Sequence, residues 1–304
     1  ADLHIGIDLG GTKIEAAVLD DRGTFRFRER AATPRGDYPT ALNVIRALIE
    51  RAESALNKSC IRVGVGHPGS TNPVDQRIRN ANSTCLNGQT LHTDLQSLLQ
   101  RPVRLANDAD CLALSEASDG VARGYGSVFA VILGTGGGGG WVSDGRLLQG
   151  PNALAGEWGH NPLPIATADE FPGPLCYCGR HGCIEAWLSG PALIADYQRQ
   201  SSDQSVPDVP ALVLAAAQGQ RAAQRALDRH TQRLARALAV IINAADPEAI
   251  VLGGGVSQRP GLIDALALAL PTQVFLPAGT PLRTKLLLPK FGDSSGVRGA
   301  ARLA

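Results

Sequence analysis

Methionine is absent from all 304 residues, and aromatic side chains make up only 4% of them. No apolar run nears the roughly 18 residues needed to span a bilayer. The longest, Val128 to Leu133 and Leu262 to Leu270, are short or interrupted, so no membrane partner is expected. Charge imbalance is lacking too: a formal net charge of +1 offers nothing to nucleic acid or an anionic surface. The opening residues, Ala1-Asp2-Leu3-His4, show no basic segment followed by an apolar core. No secretory signal is visible there, and a cytoplasmic location is expected. Cysteine is sparse, six in all, and unevenly spread. Cys60, Cys85 and Cys111 stand singly and read as buried reduced thiols. Cys176, Cys178 and Cys183 crowd together, which suits a metal site in a reducing compartment better than a disulfide framework.

What is abundant is glycine, and it is placed twice in the same design. Ile5 to Leu9 leads into Gly10-Gly11-Thr12-Lys13; Val128 to Leu133 leads into Gly134-Thr135-Gly136 and on to Gly140. Each copy is an apolar run, a glycine turn, and a second extended run ending in a reversal, Asp20-Asp21-Arg22-Gly23 or Ser143-Asp144-Gly145-Arg146. Glycine brings bare amide N–H groups close to a ligand, and successive N–H groups make a nest for phosphate. Two such hairpins suggest two related half-domains gripping one polyphosphate. Neither is a Walker A loop, and the second is followed by a strand and turn rather than a dinucleotide-binding helix.

The length fits two domains, and hydrophobic content of 44% with 19% charged residues is that of a globular protein. Ile5–Leu9, Ile14–Leu19 and Thr24 to Arg28 read as a meander, Pro39 to Leu56 as an amphipathic helix, and Ile61 to Gly66 and Val103 to Ala106 as strands. A helix carrying Ala109 to Val121 follows, with Asp108 near its N-cap. The second half restarts at Val128 to Leu133, crosses a proline-rich loop over residues 162 to 175, and is mainly helical over Cys183 to Gln200 and Pro210 to Ala245. Ala249 to Leu252 is a strand, Pro260 to Leu270 a helix, and the tail ends in another. The basic series Arg221, Arg225, Arg229, Arg233 and Arg236 reads as a solvated helix face. Strands then helices, repeated, predict an α/β chain of two duplicated lobes with a cleft between them. The first would span residues 1–120, completed by 291–304, and the second 121–290.

Asp8, at a strand end beside a glycine turn, suits a Mg²⁺-bound water next to a phosphate chain; a local turn hydrogen bond is its plainer reading. Asn107-Asp108 is the best acid-base candidate, since phosphoryl transfer uses an Asp that accepts the attacking hydroxyl's proton. Gly253-Gly254-Gly255 could admit a nucleoside or be a packing turn. His160 with Cys176, Cys178 and Cys183 matches a closed tetrahedral structural zinc site, with Zn–S of roughly 2.3 Å. Glu157 and Glu185 flank this knuckle, placed to accept hydrogen bonds from sugar hydroxyls.

These segments resemble the ROK family (repressors, open reading frames, sugar kinases) over essentially the whole chain. The matches are Asp8 to Lys13, Pro68-Gly69-Ser70, Leu105 to Ala109, Gly134-Thr135-Gly136, Glu157 to His160, Cys176 to Glu185, Leu252 to Ser257 and Gly292 to Gly296. Asn80 to Thr84, with Leu86-Asn87-Gly88, most resembles bacterial fructokinases of the manno(fructo)kinase type. The resemblance implies a two-lobed, actin-like (duplicated ribonuclease H-like) sugar kinase fold with a zinc knuckle, using ATP, Mg²⁺ and structural Zn²⁺, and forming a homodimer. By it, Asp108 is the catalytic base and Asn82, Asn107, Glu157, His160 and Glu185 contact the sugar, His160 serving zinc and sugar through its two nitrogens. Asp8, Gly10, Gly11, Thr12, Lys13, Gly134, Thr135 and Gly136 hold phosphates and Mg²⁺, and Gly254 and Gly255 lie by the adenosine. The expected activity is phosphorylation of a hexose 6-hydroxyl, fructose first, with mannose, glucose and N-acetylglucosamine as rivals. A sugar-responsive repressor would need a DNA-binding segment before residue 8. An actin-like assembly protein is disfavoured by Asn107-Asp108 and the knuckle. Two departures stand out: the all-glycine run Gly136 to Gly140, expected to loosen that turn, and His67, where an apolar residue is commoner.

Overall fold

The structure is a computed structural model describing residues 2–60 and 62–304. Its first strands, Leu3–Leu9 (β1), Lys13–Asp20 (β2) and Phe25–Ala32 (β3), form the expected meander. Next come Tyr38–Leu56 (α1), Val63–His67 (β4), the short pair Ser70–Thr71 (β5) and Ile78–Arg79 (β6), Leu91–Leu99 (α2), Val103–Asn107 (β7) and Asp108–Ser118 (α3). The expected strand start at Ile61 lies outside the described residues. The remainder runs Ser127–Leu133 (β8), Gly137–Ser143 (β9), Arg146–Leu147 (β10), Ile184–Leu188 (α4), Gly190–Ser201 (α5), Val209–Ala217 (α6) and Arg221–Ala245 (α7). Ala249–Gly253 (β11), Leu262–Ala269 (α8), Lys285–Leu287 (β12) and Ser295–Leu303 (α9) complete it.

One sheet has the order β3-β2-β1-β4-β7 and the other β10-β9-β8-β11-β12. In the first, the β1–β2 and β2–β3 pairs are antiparallel, while β4 joins β1 and β7 in parallel. The second repeats that scheme, with β10 and β9 antiparallel and β11 parallel to both β8 and β12. The repeated order places both glycine turns at the same point of the motif, between the central strand and the strand that returns beside it.

The chain divides into two compact units, Ala1–Gly126 with Gly140–Ala155 and Pro289–Ala304, and Ser127–Gly139 with Gly156–Leu288. Residues 121–126 and 140–155, placed in the second lobe by the sequence, pack with the first instead. The long helical stretches are also interrupted: Ser189 separates α4 from α5, and residues 218–220, with Gly219 at φ +89°, separate α6 from α7.

Unit 1 is built on very close backbone packing. Helix α9 lies against β1, β4 and α3. A Cβ at Gly6 would overlap the backbone of Ala301 and Val297, one at Gly64 the Ala300 carbonyl, and one at Gly299 the Cys111 carbonyl. Buried Glu116 ties the approach to α9 down, accepting from the Lys290 and Phe291 N–H groups (3.0 and 3.2 Å) and from Ser295 Oγ (2.9 Å). On the far side of the sheet, α1 buries Ala41, Ile45, Leu48, Ile49 and Ala52, the face its periodicity predicts.

In unit 2 the basic series on α7 departs from expectation in part: Arg221 and Arg225 are exposed, but the three arginines that follow are paired with carboxylates. Arg233 is 4% exposed and bridges Glu170 and Asp196 at 3.1 Å each, with its guanidinium 4.2 Å from the Trp187 ring centroid. Arg229 joins Asp196 and Arg236 joins Glu170. Carboxylates from α5 and the proline-rich loop draw these arginines inward, because a buried carboxylate is tolerated only when paired. Periodicity on α7 alone does not contain that information.

Gly299→Val should cost about 3 kcal/mol or more, since a backbone carbonyl occupies the space and a whole helix must move. Urea unfolding monitored by circular dichroism measures it.

Candidate active site

The first glycine turn closes by Gly10 N–H donating to the Lys13 carbonyl (3.0 Å), with Thr33 Oγ1 donating to the Gly10 carbonyl (2.7 Å). Gly11 and Thr12 are exposed, with their N–H groups at the tip. The Asn82–Ser83 segment approaches this tip, since a Cβ at Gly11 would lie 3.2 Å from Ser83 Oγ. Asn82 itself spends Oδ1 on the N–H of Ser83 (2.8 Å).

Asp8 is the penultimate residue of β1, just before that turn. Burial, then the charges of Asp108 and Glu15, push its carboxyl up to about 6. Glu15 sits opposite Asp8 in the β1–β2 register, fully buried and paired with Arg28 and Arg30. A signal the sequence reading passed over is Gly296: a Cβ there would come within 2.7 Å of Asp8 Oδ2. The Gly292 to Gly296 segment thus ends against the Asp8 carboxyl, where glycine allows the closest approach.

Asn107, not Asp108, caps α3, its Oδ1 accepting from the Asp110 N–H at 2.7 Å. Asp108 is therefore the first helical residue, and its Oδ1 takes the Ala109 N–H at 2.9 Å. Water reaches the Asp108 side chain, yet surrounding protein mass raises its pKa above the carboxylate range. Two acids of one unit, Asp8 and Asp108, thus feel each other. A divalent cation would relieve that repulsion, and this donor set fits Mg²⁺ held through one or two carboxylates and substrate phosphates. His67 pairs with Asn107 in the β4–β7 register and is 2% exposed. Its Nδ1–H donates to the Pro68 carbonyl at 2.9 Å, and burial lowers its pKa, so the ring is neutral. His67 and Asn107 share the wall of a cavity of about 700 Å³ within unit 1.

In unit 2, Gly134 N–H donates to the Gly136 carbonyl (3.0 Å), leaving Thr135 exposed at the tip. The all-glycine run is tight, not loose. A Cβ at Gly136 would sit 2.7 Å from Glu185 Oε2, and the side chains of Phe129 and Trp158 crowd Gly139. Trp158 Nε1 donates to the Gly138 carbonyl (2.9 Å), and the Gly137 N–H donates to Glu185 Oε2 (2.7 Å). Glu185 therefore braces the turn with one oxygen. Within unit 1, Gly140 lies against the start of α3, where an added Cβ would meet the Ala109 carbonyl at 2.5 Å. After β11, Gly254 has φ +83° with the Leu133 backbone where a Cβ would stand, whereas Gly255 faces open space.

His160, Cys176, Cys178 and Cys183 come together, their ligand atoms all within 4.8 Å of one another. Cys178 Sγ and Cys183 Sγ are 3.6 Å apart, and Cys176 Sγ and His160 Nδ1 are 3.5 Å apart. A zinc tetrahedron with ordinary bond lengths has edges of about 3.8 Å between sulfurs and about 3.6 Å between sulfur and nitrogen. These two spacings and the three-thiol, one-imidazole donor set fit zinc. Backbone bonds shape the knuckle: Cys176 N–H to the Arg180 carbonyl (2.8 Å) and Gly182 N–H to the Pro174 carbonyl (2.8 Å). The other ring nitrogen of His160, Nε2, is 2.9 Å from Tyr177 Oη, a neighbour the sequence reading missed.

With this geometry in view, comparison with known proteins is decisive. The ROK family model matches residues 4–304. The chain belongs to the ROK family. It is 37% identical over 305 residues to an N-acetyl-D-glucosamine kinase from Yersinia pseudotuberculosis, covering 99% of this chain and 98% of the relative. Among solved structures, a ROK hexokinase from Thermus thermophilus superposes with a TM-score of 0.88 at 31% identity, covering 99% of this chain and 97% of that one. A ROK glucokinase from Streptomyces griseus, solved with glucose and AMPPNP, gives a TM-score of 0.79 at 28% identity, with 99% of each chain covered. The α/β, actin-like sugar-kinase fold follows. The fructokinase subtype does not: the resemblance of Asn80 to Gly88 to fructokinases is short, whereas the identity to an N-acetyl-D-glucosamine kinase runs along the whole chain. Among the described residues, no helix is long and apolar enough to cross a membrane.

Helix α4, which carries Glu185, is held by its last carbonyl. Buried His230 Nε2–H donates to the Leu188 carbonyl at 3.0 Å; burial and then Arg259 lower the His230 pKa to about 4. Unfolded histidine titrates near 6.5, so this neutral form stabilises the fold above that pH and the contribution is lost as pH falls toward 4. The expected loss is about 3 kcal/mol. His230→Gln should remove that part of the pH dependence, read as the difference between the wild-type and variant urea midpoints from pH 7 to pH 4.

Proposed function

We propose that this sugar kinase transfers the γ-phosphate of ATP to the 6-hydroxyl of N-acetylglucosamine. The full-length identity to N-acetyl-D-glucosamine kinases supports the substrate, and one observation carries the chemistry. Asp108 opens α3 with one oxygen engaged by a helix N–H and a raised proton affinity, and its charge is felt by a second acid, Asp8, near the end of β1 at a phosphate-type turn.

In this reading Asp108 accepts the proton of the 6-hydroxyl as its oxygen attacks phosphorus in line. Capping already occupies Asn107 Oδ1, which leaves the amide NH₂ to donate to a sugar oxygen. Asn82, Glu157, Glu185 and His160 contribute further sugar contacts, Glu185 with the oxygen that does not brace Gly137. The N–H groups at Gly10 to Lys13 and Gly134 to Gly136 take the phosphates, and Asp8 holds Mg²⁺, which supplies charge neutralisation on the phosphate chain when bound. Gly255, with open space before it, admits the adenosine, and Gly254 makes the turn that allows this. Zinc at His160, Cys176, Cys178 and Cys183 is structural, because protein atoms fill all four positions. It stiffens the loop between Glu157 and Glu185.

Coupled ADP-release assays should give the highest kcat/KM with N-acetylglucosamine, ahead of glucose, mannose and fructose; a clear preference for fructose would reverse the substrate assignment. Asp108→Asn should lower kcat by about 10²–10⁴ while calorimetry finds nucleotide binding intact. Retained turnover would remove Asp108 from the base role. Elemental analysis should find one zinc per chain, and its removal by chelator should lower the melting temperature.

A further inference from the structure

Tyr177 sits between two cluster cysteines in sequence, and its phenol turns toward His160, the residue expected to meet both zinc and sugar. The ring is 68% exposed and stands perpendicular to His160, with centroids 5.1 Å apart. Its hydroxyl lies 2.9 Å from His160 Nε2, while His160 Nδ1 lies 3.5 Å from Cys176 Sγ. Each ring nitrogen of His160 thus has a distinct neighbour, the thiol cluster on one side and the phenol on the other. We propose that Tyr177 is a positioning residue with two opposed effects: it holds His160 in the tautomer that binds metal, and it occupies the hydrogen bond that a sugar hydroxyl must take over. This rests on the zinc and sugar roles given to His160 above.

The first effect follows from counting protons. A neutral imidazole carries one N–H, and a metal-ligating nitrogen must be bare. With Nδ1 toward the thiolates, the proton belongs on Nε2, so Nε2–H donates and Tyr177 Oη accepts. An acceptor at that position fixes the ring and raises the basicity of the ligating nitrogen, and losing such a partner costs about 10–100-fold in metal affinity.

The second effect follows from the neighbours. The phenol hydroxyl already occupies Nε2, the ring nitrogen of His160 that does not face Cys176. It therefore stands where a sugar hydroxyl would approach Nε2. Exposure makes it displaceable, and the exchange of one hydrogen bond for another sets a modest barrier to sugar binding.

Tyr177→Phe separates these effects, because it keeps the ring and deletes the acceptor. In the zinc-loaded protein, competition with a chromogenic chelator should read a 10–100-fold weaker Zn²⁺ affinity. With zinc kept saturating, KM for N-acetylglucosamine should fall about fivefold, the size of one exposed hydrogen bond, with the change in KM rather than kcat. A general disturbance of the loop would weaken both, so a raised KM alongside weaker zinc overturns the proposal. Unchanged zinc affinity overturns it as well. If the wild-type protein takes up no zinc or phosphorylates none of the four sugars, the parent reading fails and the proposal falls with it; that result is distinct because it appears before any substitution is made.

Discussion

Backbone placed against backbone is the constraint on which unit 1 depends. Helix α9 fits between α3 and the β1–β4 pair only because Gly6, Gly64 and Gly299 present no side chains there. The result fixes three points at once. β1 delivers Asp8, α3 begins at Asp108, and the approach to α9 brings Gly296 against the Asp8 carboxyl. Interiors as dense as this transmit displacement rather than absorb it, so the positions of two acids far apart in sequence depend on the same packing.

The second glycine turn uses the same device with different partners. Side chains from outside the hairpin, Glu185 and Trp158, fill the volume that Cβ atoms would have taken, and each adds a hydrogen bond to the strand it covers. The turn is therefore rigid in spite of its composition. Glycine flexibility belongs to the unfolded chain; once neighbours occupy both faces, the same residue permits the closest packing available.

Charge is organised by burial rather than by quantity. Net charge is near zero, yet unit 2 encloses Arg233 with Glu170 and Asp196, and unit 1 buries Glu15 beneath two exposed arginines. Glu170 lies in the proline-rich loop that leads to the cysteines, and its contacts with Arg233 and Arg236 fasten that loop to α7. Stacking of Arg233 on Trp187 extends the same brace to α4. Removing one member leaves its partner charged and dry, which is why such groups act together.

Much of this was legible in the residues alone. Apolar periodicity located many of the helices and strands, the repeated glycine hairpins announced two related halves, and the spacing of Cys176, Cys178 and Cys183 with His160 picked out four side chains that do converge. These are local patterns, read from residues near one another in the chain. Tertiary structure decided the rest: that Asn107 caps α3 and Asp108 follows it, that residues 140–155 pack with unit 1, that Gly136 to Gly140 is tight, that three arginines of α7 turn inward, and that Tyr177 meets His160. Each depends on a partner distant in sequence or on the direction a side chain takes. Spacing carries the period of a helix or strand, but it carries neither the identity of the neighbour across the gap nor the space that neighbour leaves.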